Sequence, residues 1–210
     1  EGYLNILTPD YFSARYRSFQ NPDGQGEIYL GYDDLGIGGN RTEAHVNNWG
    51  YGTQINSITF SYLPGDNKLT TTVVSPTENV TLDFNNLSSR FQNPNVLNNL
   101  NYMQFTVAAR DTGTTVDFNN VKLNGTSLGD FHAPGCSQYL DWYLVGYDFS
   151  QGFTLTGDIV LNGTFSNGEA SKVQVNVGVV PIPGAVWLLG TGLIGIIGIR
   201  RKKAIKNKGF

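Results

Sequence analysis

The chain has 210 residues, of which 12% are aromatic, and a formal net charge of −3. Six of its 14 lysines and arginines lie in residues 200–210, so residues 1–199 carry eight basic groups and all 17 acidic groups, a formal charge of −9. This negative charge argues against a nucleic-acid partner, and the single cysteine, Cys136, excludes an intrachain disulfide.

Helix signals are scarce in the first part of the chain. Thr8-Pro9-Asp10 predicts a short helix that ends near Phe19, with Thr8 as its N-cap and Pro9 in its first turn. A second short helix is predicted near Asn95 to Leu100.

Residues 27 to 178 show the alternation of apolar and polar residues that is typical of β-strands. A period of two predicts antiparallel sheets with one buried face and small polar residues on the other. The alternation is clearest in residues 57–62, 80–84, 103–107, 153–161 and 172–177. Turn sequences such as Asn124-Gly125 and Asn162-Gly163 separate such segments. We therefore expect residues 1–178 to form an all-β, jelly-roll-like antiparallel β-sandwich, followed by a single C-terminal apolar helix.

No arrangement of residues points to catalysis. Two histidines, His45 and His132, are too few for a zinc site built from His and Cys ligands. Glycoside hydrolysis needs a pair of carboxylates. The acidic residues of this chain are more simply interpreted as solvated side chains in turns. The nearest candidates for such a pair are Asp33, Asp34, Asp141 and Asp148.

Two groups of residues are candidates for binding. Aromatic rings stack on sugars, although alternation predicts that at least half of them belong to the core. The candidates for sugar stacking are Trp49, Tyr51, Trp142 and Tyr143. Loop carboxylates suit calcium, although no 12-residue EF-hand loop is present. The candidates for calcium are Asp23, Asp33 and Asp34, and no other cofactor is predicted.

An uncharged apolar segment, Ile182 to Ile199, precedes the basic C-terminus. As a helix with a rise of about 1.5 Å per residue, it would be about 27 Å long, which approaches the roughly 30 Å of a bilayer's hydrocarbon core. Residues 182–199 are therefore predicted to span a membrane, with a buried core helix as the alternative. The basic residues that follow predict a cytoplasmic tail over 200–210 and an external domain over 1–178. The first of these basic residues are Arg200, Arg201, Lys202 and Lys203.

Three consecutive elements of this C-terminal segment resemble the PEP-CTERM sorting signal. They are the motif Pro181-Ile182-Pro183, the apolar segment with Trp187, Gly190, Gly192, Gly195 and Gly198, and the basic end. Ile182 stands where the name-giving motif has Glu, and Val-Pro-Leu-Pro-like variants occur in that family. The resemblance implies a Gram-negative bacterium that exports exopolysaccharide, and a membrane transpeptidase, an exosortase, that acts near residues 179–183.

The β domain is similar to the choice-of-anchor class, which comprises extracellular β domains that occur with different attachment signals. The similarity rests on short turn-rich motifs and brings no catalytic residues. The motifs are residues 35–40 (LGIGGN), 121–125 (VKLNG) and 153–157 (FTLTG).

Together these features predict a non-enzymatic protein of the cell envelope or extracellular matrix, exported with a signal peptide that we expect in its precursor. It would act by self-assembly or by association with exopolysaccharide, with an exosortase-like enzyme, the membrane and further copies of itself as partners. Self-assembly ranks slightly ahead, because few charges protect the sheet edges. The alternative is a secreted protein that binds or degrades polysaccharide on the same scaffold.

Overall fold

The computed structural model of the chain describes residues 10–17, 19, 26–136, 139–166 and 171–180. All of its strands fall within one compact unit, Glu1–Val179. The predicted sorting motif, apolar span and basic tail (residues 181–210) lie outside the described residues, and so does Asp23. Within the described ranges, no helix is long and apolar enough to cross a membrane.

The described residues form twelve strands in two antiparallel sheets of six. The strands of the first sheet are β1 (Tyr11–Arg17), β2 (Gly26–Tyr32), β3 (Arg41–Val46), β7 (Tyr102–Ala108), β10 (Leu140–Val145) and β12 (Lys172–Gly178). Those of the second are β4 (Asn56–Leu63), β5 (Lys68–Val74), β6 (Asn79–Asn85), β8 (Thr115–Leu123), β9 (Thr126–Pro134) and β11 (Phe153–Asn162). The first sheet has the order β10-β7-β12-β1-β2-β3, and the second has the order β6-β5-β4-β11-β8-β9.

A core of aromatic and aliphatic side chains lies between the two sheets. Phe12 of β1 lies 6.2 Å from both Phe60 of β4 and Phe153 of β11, measured between ring centroids. Each of these rings is almost completely buried. Because alternate residues of a strand point to opposite faces, each sheet contributes one apolar face to this core, which is the arrangement of a β-sandwich.

The prediction of an all-β fold with antiparallel sheets is confirmed. The five segments with the clearest alternation correspond to β4, β6, β7, β11 and β12. Asn124-Gly125 joins β8 to β9 with positive φ at both residues, as a tight hairpin turn requires. Helical structure among the described residues is limited to four 3-10 segments: Gly38–Asn40, Pro64–Asp66, Leu87–Ser89 and Pro94–Asn99. The last of these matches the short helix predicted near Asn95.

The helix predicted up to Phe19 is wrong, because residues 11–17 form the strand β1. Phe12, Ala14 and Tyr16 alternate along this strand and are fully buried. β1 pairs with β12 on one side and β2 on the other, so it lies inside the first sheet. The cap-like start of the segment is a local preference. Pairing on both sides and the burial of Phe12, Ala14 and Tyr16 override it.

Candidate functional site

The first sheet carries polar side chains on the face that points away from the second sheet, which we call the outer face. On β1 the outer residues include Ser13, Arg15 and Arg17, since the residues between them point into the core. The register of the sheet places Gln174 opposite Arg15 and Lys172 opposite Arg17. The outer face therefore brings together residues from distant parts of the chain.

A ladder of polar side chains crosses the centre of this face; we call Ser13, Gln104, Gln174 and Asn176 the amide ladder. The Ser13 hydroxyl and the Gln174 amide both donate to Asn176 Oδ1, at 2.6 and 2.7 Å. Asn176 Nδ2 donates to Gln104 Oε1 at 3.0 Å, and Arg15 Nε donates to Gln174 Oε1 at 2.8 Å. All four ladder side chains are buried, so their hydrogen bonds offset the loss of water.

This burial was not predicted from the sequence. The alternation in residues 172–177 places Gln174 and Asn176 on an exposed polar face, whereas the structure buries both. Strand β7 is likewise buried at all seven positions, although its outer residues include the polar side chains of Gln104 and Thr106. Alternation identifies which residues share a face, but it does not tell whether a polar face is covered.

Three exposed tyrosines lie on the edge strand β10 or close to its ends; we call Tyr139, Tyr143 and Tyr147 the tyrosine margin. Each side chain is about two-fifths exposed, at 40%, 41% and 40%. Tyr139 precedes β10, Tyr143 lies on its outer face, and Tyr147 follows it. The Tyr143 ring lies 5.8 Å from that of buried Tyr102, which anchors it to β7. Of the three rings, that of Tyr143 is therefore presented by a paired strand.

Trp49 does not belong to a sugar-binding surface, and its prediction as a stacking residue is wrong. The side chain is only 4% exposed, and the Phe19 ring meets it edge-on at 5.0 Å. Its Nε1 atom is buried without a hydrogen-bond partner. A sugar therefore has no access to the indole face.

The other predicted stacking residues differ in their accessibility. Trp142 is partly buried and packs 5.0 Å from the Phe131 ring, on the core side of β10. Tyr51 is also partly buried, with its ring 6.2 Å from that of Phe165. Tyr143 alone among the four lies on the tyrosine margin. Sequence reasoning missed Tyr139, although its spacing of four residues from Tyr143 would place both on one face of an extended segment.

Three cations lie next to the tyrosine margin; we call Arg15, Arg17 and Lys172 the cationic corner. Arg17 Nε lies 2.7 Å from Glu27 Oε2, and its Nη2 donates to the Tyr29 hydroxyl at 2.7 Å. Lys172 Nζ lies 4.4 Å from the centroid of the Tyr139 ring. The corner is therefore continuous with the margin through Tyr139.

Burial and mutual repulsion disfavour the charges of the cationic corner. Burial and, after it, repulsion from Arg15 and Arg17 lower the pKa of Lys172 to about 8, against the opposing effect of Asp141. Burial also lowers the pKa of Arg15, followed by repulsion from Arg17. Of the three cations, only Arg17 has a pKa above its usual value. Burial opposes its charge, but the Tyr29 hydroxyl and the Glu27 carboxylate outweigh that effect.

The predicted calcium ligands Asp33 and Asp34 lie in the loop after β2. Asp34 Oδ1 accepts a hydrogen bond from the backbone N–H of Gly36 at 2.7 Å, which closes a local turn. Burial raises the pKa of Asp33, and the carboxylates of Asp34 and Asp10 add to this rise. Among the residues that the structure describes, no three His, Cys, Asp or Glu side chains are grouped to hold a metal ion.

The remaining candidate carboxylates serve local hydrogen bonds. Asp141 accepts from the Thr106 hydroxyl at 2.5 Å, which ties β10 to β7. Asp148 accepts from both the backbone N–H and the hydroxyl of Ser150, and these bonds lower its pKa. Each carboxylate thus stabilises its own segment.

No protein-family model matches the chain, and a search of curated proteins finds no match. The resemblances to a PEP-CTERM-type signal and to choice-of-anchor domains therefore stay predictions.

Proposed function

We propose that this protein is a non-enzymatic component of the cell surface or extracellular matrix that associates with polysaccharide through the tyrosine margin. The observation that carries the proposal is the exposure of three aromatic rings, Tyr139, Tyr143 and Tyr147, on and beside one edge strand. Exposed apolar surface that is grouped rather than scattered marks sites of interaction with a partner.

The chemistry of the margin suits a sugar polymer. A tyrosine offers a rigid apolar ring for the apolar face of a sugar and a hydroxyl for its polar edge, and few rotatable bonds are fixed on binding. The amide ladder fixes β1, β12 and β7 relative to one another. Because β10 pairs with β7 along its whole length, the ladder supports a site that is preorganised before the ligand arrives.

The strand order supports a jelly-roll-like sandwich as the finer description of the scaffold. Four consecutive neighbours of the first sheet are β10, β7, β12 and β1. Four consecutive neighbours of the second sheet are β4, β11, β8 and β9. Two four-stranded sheets with antiparallel neighbours of this kind form the eight-stranded core of a jelly roll. The remaining strands, β2, β3, β5 and β6, extend the two sheets at one side.

Export and sorting are part of the same proposal and rest on residues 179–210. Cleavage by an exosortase-like enzyme would leave a mature protein that ends near Pro181 to Gly184. Intact-mass measurement of the protein collected from outside the cells tests this step. A mature extracellular species that still ends at Phe210 would contradict cleavage and leave a plain membrane anchor.

Retention on polysaccharide tests the binding function. The full chain, kept in an uncharged detergent that contains no sugar, is applied to immobilised exopolysaccharide from the organism. We expect retention that Tyr143→Ala weakens and that Leu63→Ala, a similarly exposed apolar residue of β4, leaves unchanged. Equal retention of both variants and the wild type would refute the role of the margin. Release of soluble oligosaccharides during the incubation would instead favour the alternative, a degrading enzyme.

A second candidate function is self-assembly through the free edge of β10. Among the strands that the structure describes, β10 pairs only with β7, on one side. It exposes Leu140 and Val145, and its one charged residue is Asp141. Charged residues, prolines and bulges are the usual protection of such edges. β10 therefore has the composition of an edge that can pair with a second copy.

The other end strands of the two sheets are better protected. β3 carries Arg41 and Glu43 and contacts β6, where the Thr42 hydroxyl donates to the Asp83 carbonyl oxygen at 3.2 Å. β9 ends at Pro134, and its pairing with β8 is interrupted by irregularities in register. Assembly through β10 is thus the form of association that the edges favour.

Light scattering of the full chain in the same detergent tests assembly. We expect association that rises with protein concentration, that Val145→Lys abolishes and that Val74→Lys, at an exposed position of β5, leaves intact. A species of constant mass at every concentration would count against self-assembly without affecting the binding proposal.

A further inference from the structure

We propose that the cationic corner, Arg15, Arg17 and Lys172, binds the carboxylate or sulfate groups of an acidic polysaccharide. This inference rests on the proposed function and names the class of polymer that the tyrosine margin takes. Three observations support it: the distribution of basic residues, the register of β1 and β12, and the continuity of the corner with the margin.

Basic residues are concentrated at this place in a body that is acidic as a whole. Of the eight basic residues before residue 200, three form the corner, and Arg110 lies beside it, 5.8 Å from the Tyr139 ring. Arg41 lies on the same face, 4.0 Å from the Tyr29 ring. A polyanion is repelled by the net charge of the body, so a local group of cations is what its binding requires.

The register places two of these cations directly opposite each other. Arg17 of β1 faces Lys172 of β12 in the antiparallel pair, and like charges in this position destabilise a sheet. Glu27 compensates Arg17. In the part of the chain that the structure describes, no carboxylate lies within salt-bridge distance of Arg15 or Lys172. An anionic group on the ligand would supply the missing compensation.

The surroundings of Lys172 favour the binding of a negatively charged group. Burial and the two arginines lower its pKa to about 8, so its charge is held at neutral pH against an unfavourable environment. A bound anion would raise that pKa again, because an opposite charge favours the charged form. Among the described residues, the charged and titratable groups around it are Arg15 and Arg17 on β1, Asp141 on β10, Arg110 after β7, and Tyr139.

The neighbouring aromatic surface favours a sugar acid over a free ion. Lys172 Nζ and the Arg110 guanidinium both lie within 6 Å of the Tyr139 ring centroid, at 4.4 and 5.8 Å. A sugar that packs on the margin at this end therefore lies beside both cations. Guanidinium groups also recognise carboxylates and sulfates through paired hydrogen bonds. A polymer with an acidic group on its sugars would use the ring and the cations together.

Affinity electrophoresis of the full chain tests the inference. The gels contain polygalacturonate, dextran sulfate or neutral dextran, and the variants are Lys172→Gln and Lys122→Gln. Lys122 is an exposed lysine of β8 in the second sheet, so both variants lose the same charge. We expect an acidic polymer to retard the wild type, and its affinity to fall about tenfold in Lys172→Gln but to stay unchanged in Lys122→Gln. Lys172→Arg, which keeps the charge, should restore retardation, and circular dichroism confirms that each variant is folded.

The possible outcomes separate this inference from the function on which it rests. Equal losses of affinity for the acidic polymer in Lys172→Gln and Lys122→Gln would overturn the site, because net charge alone would then explain binding. If neutral dextran retards the chain at least as strongly as the acidic polymers do, the anion site is overturned. The proposal of polysaccharide binding would not be affected by that result.

If no polymer retards the chain, the proposed function fails, and monomeric galacturonate then decides the site alone. The titration of Lys172 is followed by NMR at its labelled Cε atom. A rise of its pKa on addition of galacturonate would support the anion site, and an unchanged pKa would overturn it.

Discussion

The Tyr16 hydroxyl of β1 and the Thr71 hydroxyl of β5 lie 2.6 Å apart inside the core, and so one hydrogen bond joins the two sheets. The Thr71 hydroxyl also donates to the Thr59 carbonyl oxygen at 2.9 Å, which leaves Tyr16 as the donor to Thr71. Both side chains are fully buried, and burial raises the pKa of Tyr16. This bond fixes the face that β1 turns to the core, and therefore the face that carries Arg15 and Arg17.

Removing the Tyr16 hydroxyl and removing the Thr71 hydroxyl should lower the free energy of unfolding by different amounts. Tyr16→Phe loses one buried hydrogen bond and should lower the free energy of unfolding by about 1 kcal/mol. Thr71→Val instead leaves the buried Tyr16 hydroxyl without a partner, which should cost about 2–3 kcal/mol. Urea unfolding measures both values. Thr72→Val, which removes an exposed hydroxyl pair with Thr81, should stay near the wild type; equal effects of all three variants would contradict this account.

Gly26 should tolerate no side chain. A Cβ atom built on it would lie 1.3 Å from Nε1 of buried Trp49, whereas one on Gly38 would meet nothing within 4 Å. Gly26→Ala therefore forces the indole out of place and should lower the free energy of unfolding by about 3 kcal/mol, the upper end of overpacking penalties. Gly38→Ala should leave it unchanged. Thermal unfolding followed by tryptophan fluorescence measures both, and a wild-type melting temperature for Gly26→Ala would show that Trp49 packs differently.

Binding of an acidic polysaccharide should weaken as the pH rises above about 8. Lys172 has a folded-state pKa of about 8, below its ordinary value of 10.5. The folded protein therefore loses this proton, and the attraction for the anion, while an unfolded chain would still keep it. Affinity for polygalacturonate measured from pH 6 to pH 9 tests this. The Lys172→Arg variant keeps its charge and should show a flat profile, and a parallel decline in both proteins would exclude Lys172 as the titrating group.

Residues 1–178 should form a soluble, β-rich domain without the C-terminal segment. Every strand of the structure lies within them, and the two sheets bury their apolar faces against each other. Far-UV circular dichroism of this fragment should show a β-sheet spectrum and a cooperative thermal transition. A helix-dominated spectrum, or aggregation under all conditions, would contradict the domain boundary.

The strands could be predicted where one face alone is apolar. In β4, Ile58, Phe60 and Tyr62 are buried between residues that are exposed or half-buried, so alternation sufficed. In β12 the same alternation found the strand but not the burial of Gln174 and Asn176, because that burial depends on hydrogen-bond partners from β1 and β7.

The candidate site was predicted only in part, since it is assembled by register. Tyr143 was predicted as a stacking residue because its ring is aromatic. Trp49 was predicted on the same ground, yet it belongs to the core, because nothing in its neighbours along the chain reveals its contact with Phe19. The cationic corner joins residues 15 and 172, and a pairing over that distance follows from the topology of the sheet rather than from any local pattern.

Hydroxyl-radical footprinting shows whether polysaccharide binds at the tyrosine margin. The full chain is oxidised with and without oligosaccharides from the organism's exopolysaccharide, and oxidation is quantified by mass spectrometry at each exposed side chain. We expect protection of Tyr139, Tyr143 and Tyr147, with no change at Ile55 and Leu63, which are also exposed. Unchanged oxidation of all three tyrosines with a bound oligosaccharide, or protection confined to the second sheet, would contradict binding at the margin.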